Sequence, residues 1–408
     1  MKFKRLNEIA SVVDSLHQTP KYSENGIPMV RVTDIKGGRL SLRDCLKVDE
    51  EIYEKFTSNH KPQYGDIIVS RVGTYGVFSF VATNDRFCLG QNTAIITPHI
   101  NSDFVYYCLI SQIVKNQIEK KVVGSTQKTL SLKSIRELAI PDIDNDTQLI
   151  VSSILKCIDK RIALNSMIND NLEQQAQAIF KSWFVDFEPF GGVMPDDWMV
   201  TTFDSICDFK NGYAFKSKEL LKNPDSECYE VFKQGHILKG GGFNAFGTKS
   251  WFPKNKCEKL AKFVLKRNDI LMAMTDMKGN VAILGNTAIL PEDNRYILNQ
   301  RVGLLRPKTQ TGISPAYIYL LTNSNDFLFD LRSRANSGVQ VNLSADAIRN
   351  SEVVLAPKDI CRKFSEIVDP LIEKTLDNQI ENQRLAALRD TLLPKLMNGE
   401  IDVSQVKI

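Results

Sequence analysis

Few side chains in this sequence are spaced for covalent chemistry. Pro195-Asp196 followed by Asp208-Phe209-Lys210 loosely matches the PD…D-x-K pattern of metal-dependent nucleases. Such a pattern arises often by chance. Asp208 and Lys210 also align with Ser11 and Val13 in an internal repeat described below, so a duplicated catalytic site is excluded. Residues 242–250, GFNAFGTKS, resemble the phosphate-cradling G-x-x-x-x-G-K-[ST], but Thr248 intervenes between Gly247 and Lys249 and puts the lysine out of register. A glycine-rich surface loop is the favoured assignment. The four histidines (17, 60, 99, 236) share no ligand spacing. There is no G-x-S-x-G, no H-E-x-x-H and no aromatic-flanked N-P-P or D-P-P of an amino-methyltransferase. A chain without a catalytic constellation is expected to bind rather than transform.

What, then, must these residues be built on? A chain of 408 residues exceeds one ordinary core and predicts two globular units with connecting structure. Hydrophobic content of 43% and charged content of 25% are those of a globular protein in water. No stretch approaches the roughly 18 consecutive apolar residues of a membrane span, and the start MKFKRLNEIA lacks a signal-peptide core. Eight scattered cysteines without any C-x-x-C predict reduced thiols, and with the absent signal they predict a cytoplasmic protein. The net charge of +4 permits nucleic-acid binding through local patches without demanding it.

The sequence repeats itself. YGDIIVSRVGTYG (64–76) is answered by RNDILMAMTDMKG (267–279), a shift of 203; LGQNTAIITP (89–98) by LNQRVGLLRP (298–307), a shift of 209; and STQKTLS (125–131) by GVQVNLS (338–344), a shift of 213. A slowly growing offset that keeps its order is the signature of a tandem duplication with small loop insertions. Each copy opens with short β-rich runs broken by Gly, Pro and Asn, expected as a mixed α/β domain. Each then becomes a long amphipathic run: Gln148 to Phe187, with Asp146 or Thr147 as N-cap and Pro189 and Gly191-Gly192 closing it, and about Asp359 to Met397, broken only by Pro370 and Pro394.

Five heptads place Val151, Ile158, Asn165, Leu172 and Ile179 at a and Leu155, Ile162, Asn169, Ala176 and Trp183 at d. Adding 213 gives the second set, with Asn378 at a and Asn382 at d. A 3.5-residue repeat of this length predicts a coiled coil of the two helices; packing of each helix on its own globular domain is the alternative. At about 1.5 Å per residue each helix is on the order of 50 Å long, the length of a spacer. In an antiparallel pair, Asn165 facing Asn382 and Asn169 facing Asn378 give facing numbers that sum to 547. The polar positions then meet each other, and Ile158 by Arg389 and Leu172 by Thr375 are the weak layers. The arginine is expected to lay its stem across the isoleucine and keep its head in water.

The phrases NLEQQAQAIFKSWFVDFEPF (171–190), NGYAFKSKEL (211–220) and LRDTLLPKLMNGEI (388–401) resemble the specificity subunit of type I restriction–modification systems, as does the order globular unit, long helix, globular unit, long helix over the whole chain. The resemblance implies an α+β fold of two mixed α/β target-recognition domains separated by two long helices packed as an antiparallel coiled coil, with a pseudo-two-fold repeat. The expected divisions are 1–147, 148–188, 189–358 and 359–408. It implies that the chain is not an enzyme: it reads a split double-stranded DNA site, one half per domain, and directs adenine methylation or restriction by two methyltransferase subunits and two restriction subunits. S-adenosylmethionine, ATP and Mg2+ would belong to those partners, with no cofactor, no metal and no membrane for this chain. The alternatives are a DNA endonuclease using Asp196, Asp208 and Lys210, and a coiled-coil adaptor that binds no nucleic acid.

Two loops in each copy are candidate DNA readers. Ser125, Thr126, Gln127 and Lys128 lie in one loop, and Gln340 and Asn342 lie in its counterpart in the second copy; the equivalent glutamines, Gln127 and Gln340, either pair the N6/N7 edge of adenine or tie down the loop. Lys120, Lys121, Arg332 and Arg334 precede these loops and suit phosphates. Arg71, Thr74 and Tyr75, with Thr275 and Lys278, form the second loop; Tyr213 and Lys216 match the family phrase NGYAFKS. Gln91 and Gln300 are expected to be structural. The cluster Trp183, Phe184 and Phe187 is expected to pack in part on the second domain and in part on a methyltransferase partner.

Overall fold

The computed structural model describes residues 2–122, 128–222, 224, 227–277, 281–337 and 340–403. It forms two compact units, Met1–Arg161 with Leu385–Ile408, and Ile162–Arg384. The division passes through the middle of both long helices instead of their ends. Each helix half is built into the core of one globular unit, which is the physical reason.

In the first unit, strands Ala10–Asp14, Thr93–Pro98, Ile67–Ser70 and Phe78–Phe80 form a four-stranded antiparallel sheet in that order. The run Ile67-Ile68-Val69 is buried on both faces. Ile67, Val69 and Ile96 pack against Phe104 and Val105 of the helix Ser102–Ile110, while Ile68 and Ile95 pack with Val30, Leu40 and Phe87. That two-residue alternation explains why β-branched residues occupy every position. A second sheet orders Leu46–Val48, Ile27–Val30 and Cys88–Leu89, the last pair parallel.

The second unit repeats this plan. Cys207–Asn211, Val302–Pro307, Ile270–Ala273 and Thr287–Ile289 form its four-stranded sheet, and Trp251–Pro253, Cys228–Phe232 and Tyr296–Leu298 its three-stranded sheet, again with one parallel pair. Equivalent carboxylates enter the central strand of each sheet with diverged partners. Asp66 takes the Thr97 hydroxyl at 2.7 Å and His60 at 2.8 Å, whereas Asp269 takes the Arg306 guanidinium at 2.6 and 2.8 Å. Among the described residues the second unit adds a ladder of Thr275–Met277, Gln340–Asn342 and Asn336–Ser337.

The long helices are Asn145–Phe184 and Lys358–Met397. The first starts three residues before the expected Gln148. Asp144, not Asp146 or Thr147, is the cap, accepting the Thr147 N–H at 2.9 Å and its hydroxyl at 2.7 Å. It ends at Phe184 rather than Phe187, because Phe187 turns to a left-handed φ of 54° and Gly191 and Gly192 follow at 86° and 79°. The second helix continues through both Pro370 and Pro394, where breaks were expected.

Within the second unit the helices run antiparallel in the expected register. Asn165 Nδ2 donates to Asn382 Oδ1 at 3.0 Å, and Asn378 Nδ2 donates to Asn169 Oδ1 at 2.8 Å. The Trp183 and Phe364 rings, also summing to 547, lie 5.9 Å apart. Within the first unit the Arg389 layer is resolved by charge rather than by a head in water: its guanidinium donates to Asp159 at 2.8 Å, and Asp159 also accepts the Tyr107 hydroxyl at 2.8 Å. Both packing modes weighed from the sequence are present. Ala176, Phe180, Phe184, Phe364, Val368 and Ile372 join the second unit's core, and Val151, Leu155, Leu393 and Leu396 join the first's.

Phe184 belongs to the part of its cluster that packs on the second domain. It is only 5% exposed, with ring centroids 4.9 Å from both Tyr317 and Phe364 and 5.5 Å from Trp198. It is a core residue of the second unit.

Candidate nucleic-acid interface

The two loops singled out in each copy are one structure. In the first unit Val72 bridges Thr129, and the Leu130 N–H donates to Arg71 O at 2.8 Å. In the second unit Thr275 pairs with Asn342, and the Leu343 N–H donates to Met274 O at 2.9 Å. These are the same pairs once the shifts of 203 and 213 are applied. Each ladder continues a central strand of its sheet, beyond Ser70 or Ala273. A third loop joins from the neighbouring strand, where the Arg71 N–H donates to Asn92 O at 2.9 Å and the Met274 N–H to Arg301 O at 3.1 Å. Three loops therefore meet at one sheet end in each unit.

Several predicted side chains are committed to holding that end together. The Arg71 guanidinium, 12% exposed, pairs with Asp14 and donates to Leu130 O at 3.2 Å. It ties the ladder to the strand Ala10–Asp14. Arg332 is likewise engaged in the second unit, donating to Leu284 O at 2.9 Å and Asn286 Oδ1 at 3.3 Å. Arg334 pairs with Asp330 at 2.9 Å and Lys121 with Glu137 at 3.3 Å. Thr74 O accepts the Ser70 hydroxyl. These bonds engage part of each guanidinium's set of donors with carbonyls and carboxylates and hold the side chains in the frame of the sheet end.

Others remain at the surface. Lys120 is exposed. Lys128 lies over the Tyr75 ring at 5.8 Å, and the Tyr75 hydroxyl donates to Glu119 at 3.1 Å. Thr275 donates its hydroxyl to Gln234 Oε1 at 2.9 Å, and the Gln234 amide donates back to Thr275 O. Gln340 and Asn342 lie on the strand opposite Met277 and Thr275. Ser125, Thr126, Gln127 and Lys278 lie outside the described residues. Gln91 donates to the Thr19 hydroxyl at 3.3 Å, and Gln300 is exposed beside Arg301.

The phrase NGYAFKS reaches the same end of the second sheet. The Tyr213 N–H donates to Leu298 O at 3.0 Å, and the Gln300 N–H donates to Tyr213 O at 3.0 Å. A Cβ on Gly212 would stand 2.1 Å from Asn299 O, so only glycine lets the two segments approach. Tyr213 packs edge-on to Phe215, and Lys216 is exposed.

The catalytic alternatives find no support. Asp208 sits across from Arg306 on the sheet, 3.9 Å from Lys308. Lys210 donates to Lys262 O at 2.8 Å and lies over the Phe263 ring. Burial, then repulsion from Lys262 and Arg306, pushes its ammonium pKa down. The glycine-rich loop 242–250 is no phosphate cradle either, because the N–H groups of Gly242 and Asn244 donate to Thr287 O and His236 O, both at 2.9 Å. Each histidine has its own partner, such as Asp14 for His17 and Ser11 for His99. Among the described residues no group of three or more His, Cys, Asp or Glu is placed to hold a metal, and no helix is long and apolar enough to cross a membrane. The eight cysteines, all among the described residues, form no disulfide.

Sequence reasoning missed two basic features of the second unit. Arg301 is exposed in the turn beside the ladder. Lys254, Lys256, Lys259 and Lys262 are exposed along two short 3-10 turns, with exposed Lys266 just beyond them, and Glu258 is the one acid between residues 254 and 267. The run of lysines was itself the available signal.

A family model for the type I restriction modification DNA specificity domain matches residues 1–174 and 195–389, once in each copy. The chain is 25% identical over 400 residues to the type I restriction enzyme HindI specificity subunit of Haemophilus influenzae, covering 83% of this chain and 86% of that one. It is 24% identical over 426 residues to the MjaIX specificity subunit of Methanocaldococcus jannaschii, covering 99% and 94%. The S subunit of a type I restriction–modification system from M. genitalium shares the fold, with a TM-score of 0.58, 17% identity, and 97% and 95% of the two chains covered. With a duplicated recognition unit and helices paired in coiled-coil register, the chain belongs to the type I restriction–modification DNA specificity family, as a specificity subunit whose task is recognition and not catalysis.

Proposed function

We propose that each copy reads one half of a split double-stranded DNA site, through the sheet end where its three loops meet, with residues 1–147 and 189–358 as the two target-recognition domains. The observation that supports this most directly is that the pair Val72–Thr129 is equivalent to the pair Thr275–Asn342, one paired ladder per copy. Gln127 and Gln340 would read bases, and Lys120, Lys128, Lys216 and Arg301 would meet phosphates and set register. Two methyltransferase subunits, and two restriction subunits in the full complex, would bring S-adenosylmethionine, ATP and Mg2+. Each half-site would contain an adenine that the methyltransferase flips out of the duplex. The assembly would act in the cytoplasm, where DNA is.

The test is to sequence modified adenines in DNA from cells carrying the cognate methyltransferase, first with this chain and then with Asn342→Ala. A bipartite motif that changes in one half alone supports the assignment; a motif that changes in both halves, or a continuous one, refutes it. Incubation with Mg2+ should give no nicking by the isolated chain, and log affinity for duplex should fall linearly with log salt.

A further inference from the structure

The second unit carries a large apolar side chain held out into water. Phe246 is 82% exposed, at the tip of the loop that follows the turn Gln234–His236. The loop is not slack. Gly240, Gly241 and Gly242 hold φ of 86°, 103° and 103°, and Ile237 bridges Phe243. Asn244 Nδ2 donates to Gly235 O at 2.8 Å, and its Oδ1 accepts the Phe246 N–H at 3.0 Å, fixing the turn that presents the ring. Exposing a phenylalanine on such a braced tip forgoes its hydrophobic burial, which makes sense if something else covers it.

Position and charge indicate what. The base of the loop is bonded to the reading ladder through the reciprocal Gln234–Thr275 pair. Its glycine side is bonded to the same sheet end: the Gly240 N–H reaches Asn286 Oδ1 at 3.4 Å, and the Asn286 carbonyl accepts from Ala273, the last residue of the strand that the ladder continues. Exposed Lys239 and Lys249 flank the tip, with no acidic residue between positions 239 and 249. An aromatic ring on a rigid tip, flanked by cations and anchored to a DNA-reading strand, suits a surface that is anionic outside and stacked inside.

We propose that Phe246 is a wedge that enters the duplex at the half-site read by the second unit and unstacks one base step, while Lys239 and Lys249 hold the adjoining phosphates. This rests on the DNA-reading assignment above. The wedge would pay its unstacking cost from the ring's own burial, and it would lend sequence preference to a step that no side chain hydrogen-bonds, because pyrimidine–purine steps open most easily.

The test uses the chain assembled with its methyltransferase subunits and duplexes carrying the mapped site, with 2-aminopurine at successive positions of that half. Wild type should raise the fluorescence at one position apart from the target adenine. Phe246→Ala should abolish that rise, keep the rise at the target adenine, and bind about tenfold more weakly, in the range for loss of one stacked base. Phe246→Trp should restore both. The thermal midpoint of Phe246→Ala should match wild type, since the lost side chain is exposed. Equal affinity and unchanged fluorescence for Phe246→Ala, with wild type still discriminating its site, would overturn the wedge and leave the DNA-reading assignment standing. Failure of wild type to discriminate any site would overturn both. Loss of the methyltransferase subunits from Phe246→Ala would mark the ring as a protein contact and overturn the wedge.

Discussion

The asparagine layers of the coil give a prediction that can be worked through in numbers. Asn378 is 1% exposed, and its amide donates to Asn169 Oδ1, while Asn169 Nδ2 donates to Thr375 O at 3.3 Å. Truncation in Asn378→Ala removes a bond with a net worth of about 1 kcal/mol and leaves Asn169 Oδ1 facing a gap, a desolvation cost of about 1–3 kcal/mol. The single variant should therefore lose roughly 2–3 kcal/mol. The double variant Asn169→Leu/Asn378→Leu removes both partners, and its stability should return to near wild type or exceed it. The asparagines would then act by choosing the register, since a one-heptad slip moves one helix by about 10.5 Å and sets each amide against a group it cannot satisfy. Denaturant midpoints for Asn169→Leu, Asn378→Leu and the double close a cycle, and cysteines placed at Trp183 and Phe364 report register by their cross-linking yield. Asn378→Ala as mild as a surface change, or a double variant destabilised by the sum of its singles, would refute the reasoning.

Three further outcomes are expected. Gln127→Ala should relax reading at one half-site and Gln340→Ala at the other, by about 1–3 kcal/mol if the contact is bidentate, read from the methylated motif; both halves unchanged in both variants would remove the glutamines from readout. Phe184→Ala should cost about 3–5 kcal/mol in thermal unfolding, because the ring is enclosed by Tyr317, Phe364 and Trp198; a small effect would contradict its burial. Glu230 is buried, which pushes its pKa up, but the hydrogen bond from His236 and the charge of Arg295 outweigh burial and hold it below the ordinary 4.5. A depressed carboxylate stabilises the fold above its unfolded pKa and loses that contribution as pH falls through the folded value. Glu230→Gln should therefore destabilise at neutral pH, and the gap to wild type should narrow below about pH 4.5; a gap that widens on acidification would show the sign is wrong.

Much of the molecule was legible in the sequence because it rests on local or repeated signals. The duplication is written in the order of its blocks, and the matching sheet orders follow from it. The coil register was readable because a buried amide requires a partner, and four asparagines at a and d admit one arrangement that supplies it. Helix ends were legible only to within three residues, since Asp144, Asp146 and Thr147 are all competent caps and the hydrogen bond alone chooses among them.

The sequence by itself therefore determined that two related reading units are carried by two paired long helices, and which residue types lie in the loops. Only the tertiary structure decided which of those residues are at liberty. Arg71 and Arg332 look like DNA ligands in a string of letters, yet they also bond to Asp14, Leu130 O, Leu284 O and Asn286, groups distant in sequence that the fold brings within 3.3 Å or closer. Phe184 and Phe246 are the same amino acid, one enclosed by three rings and the other held in water. A side chain's chemistry is local, but its partners are set by which distant strands and helices close around it, and that is information a sequence holds only through its fold.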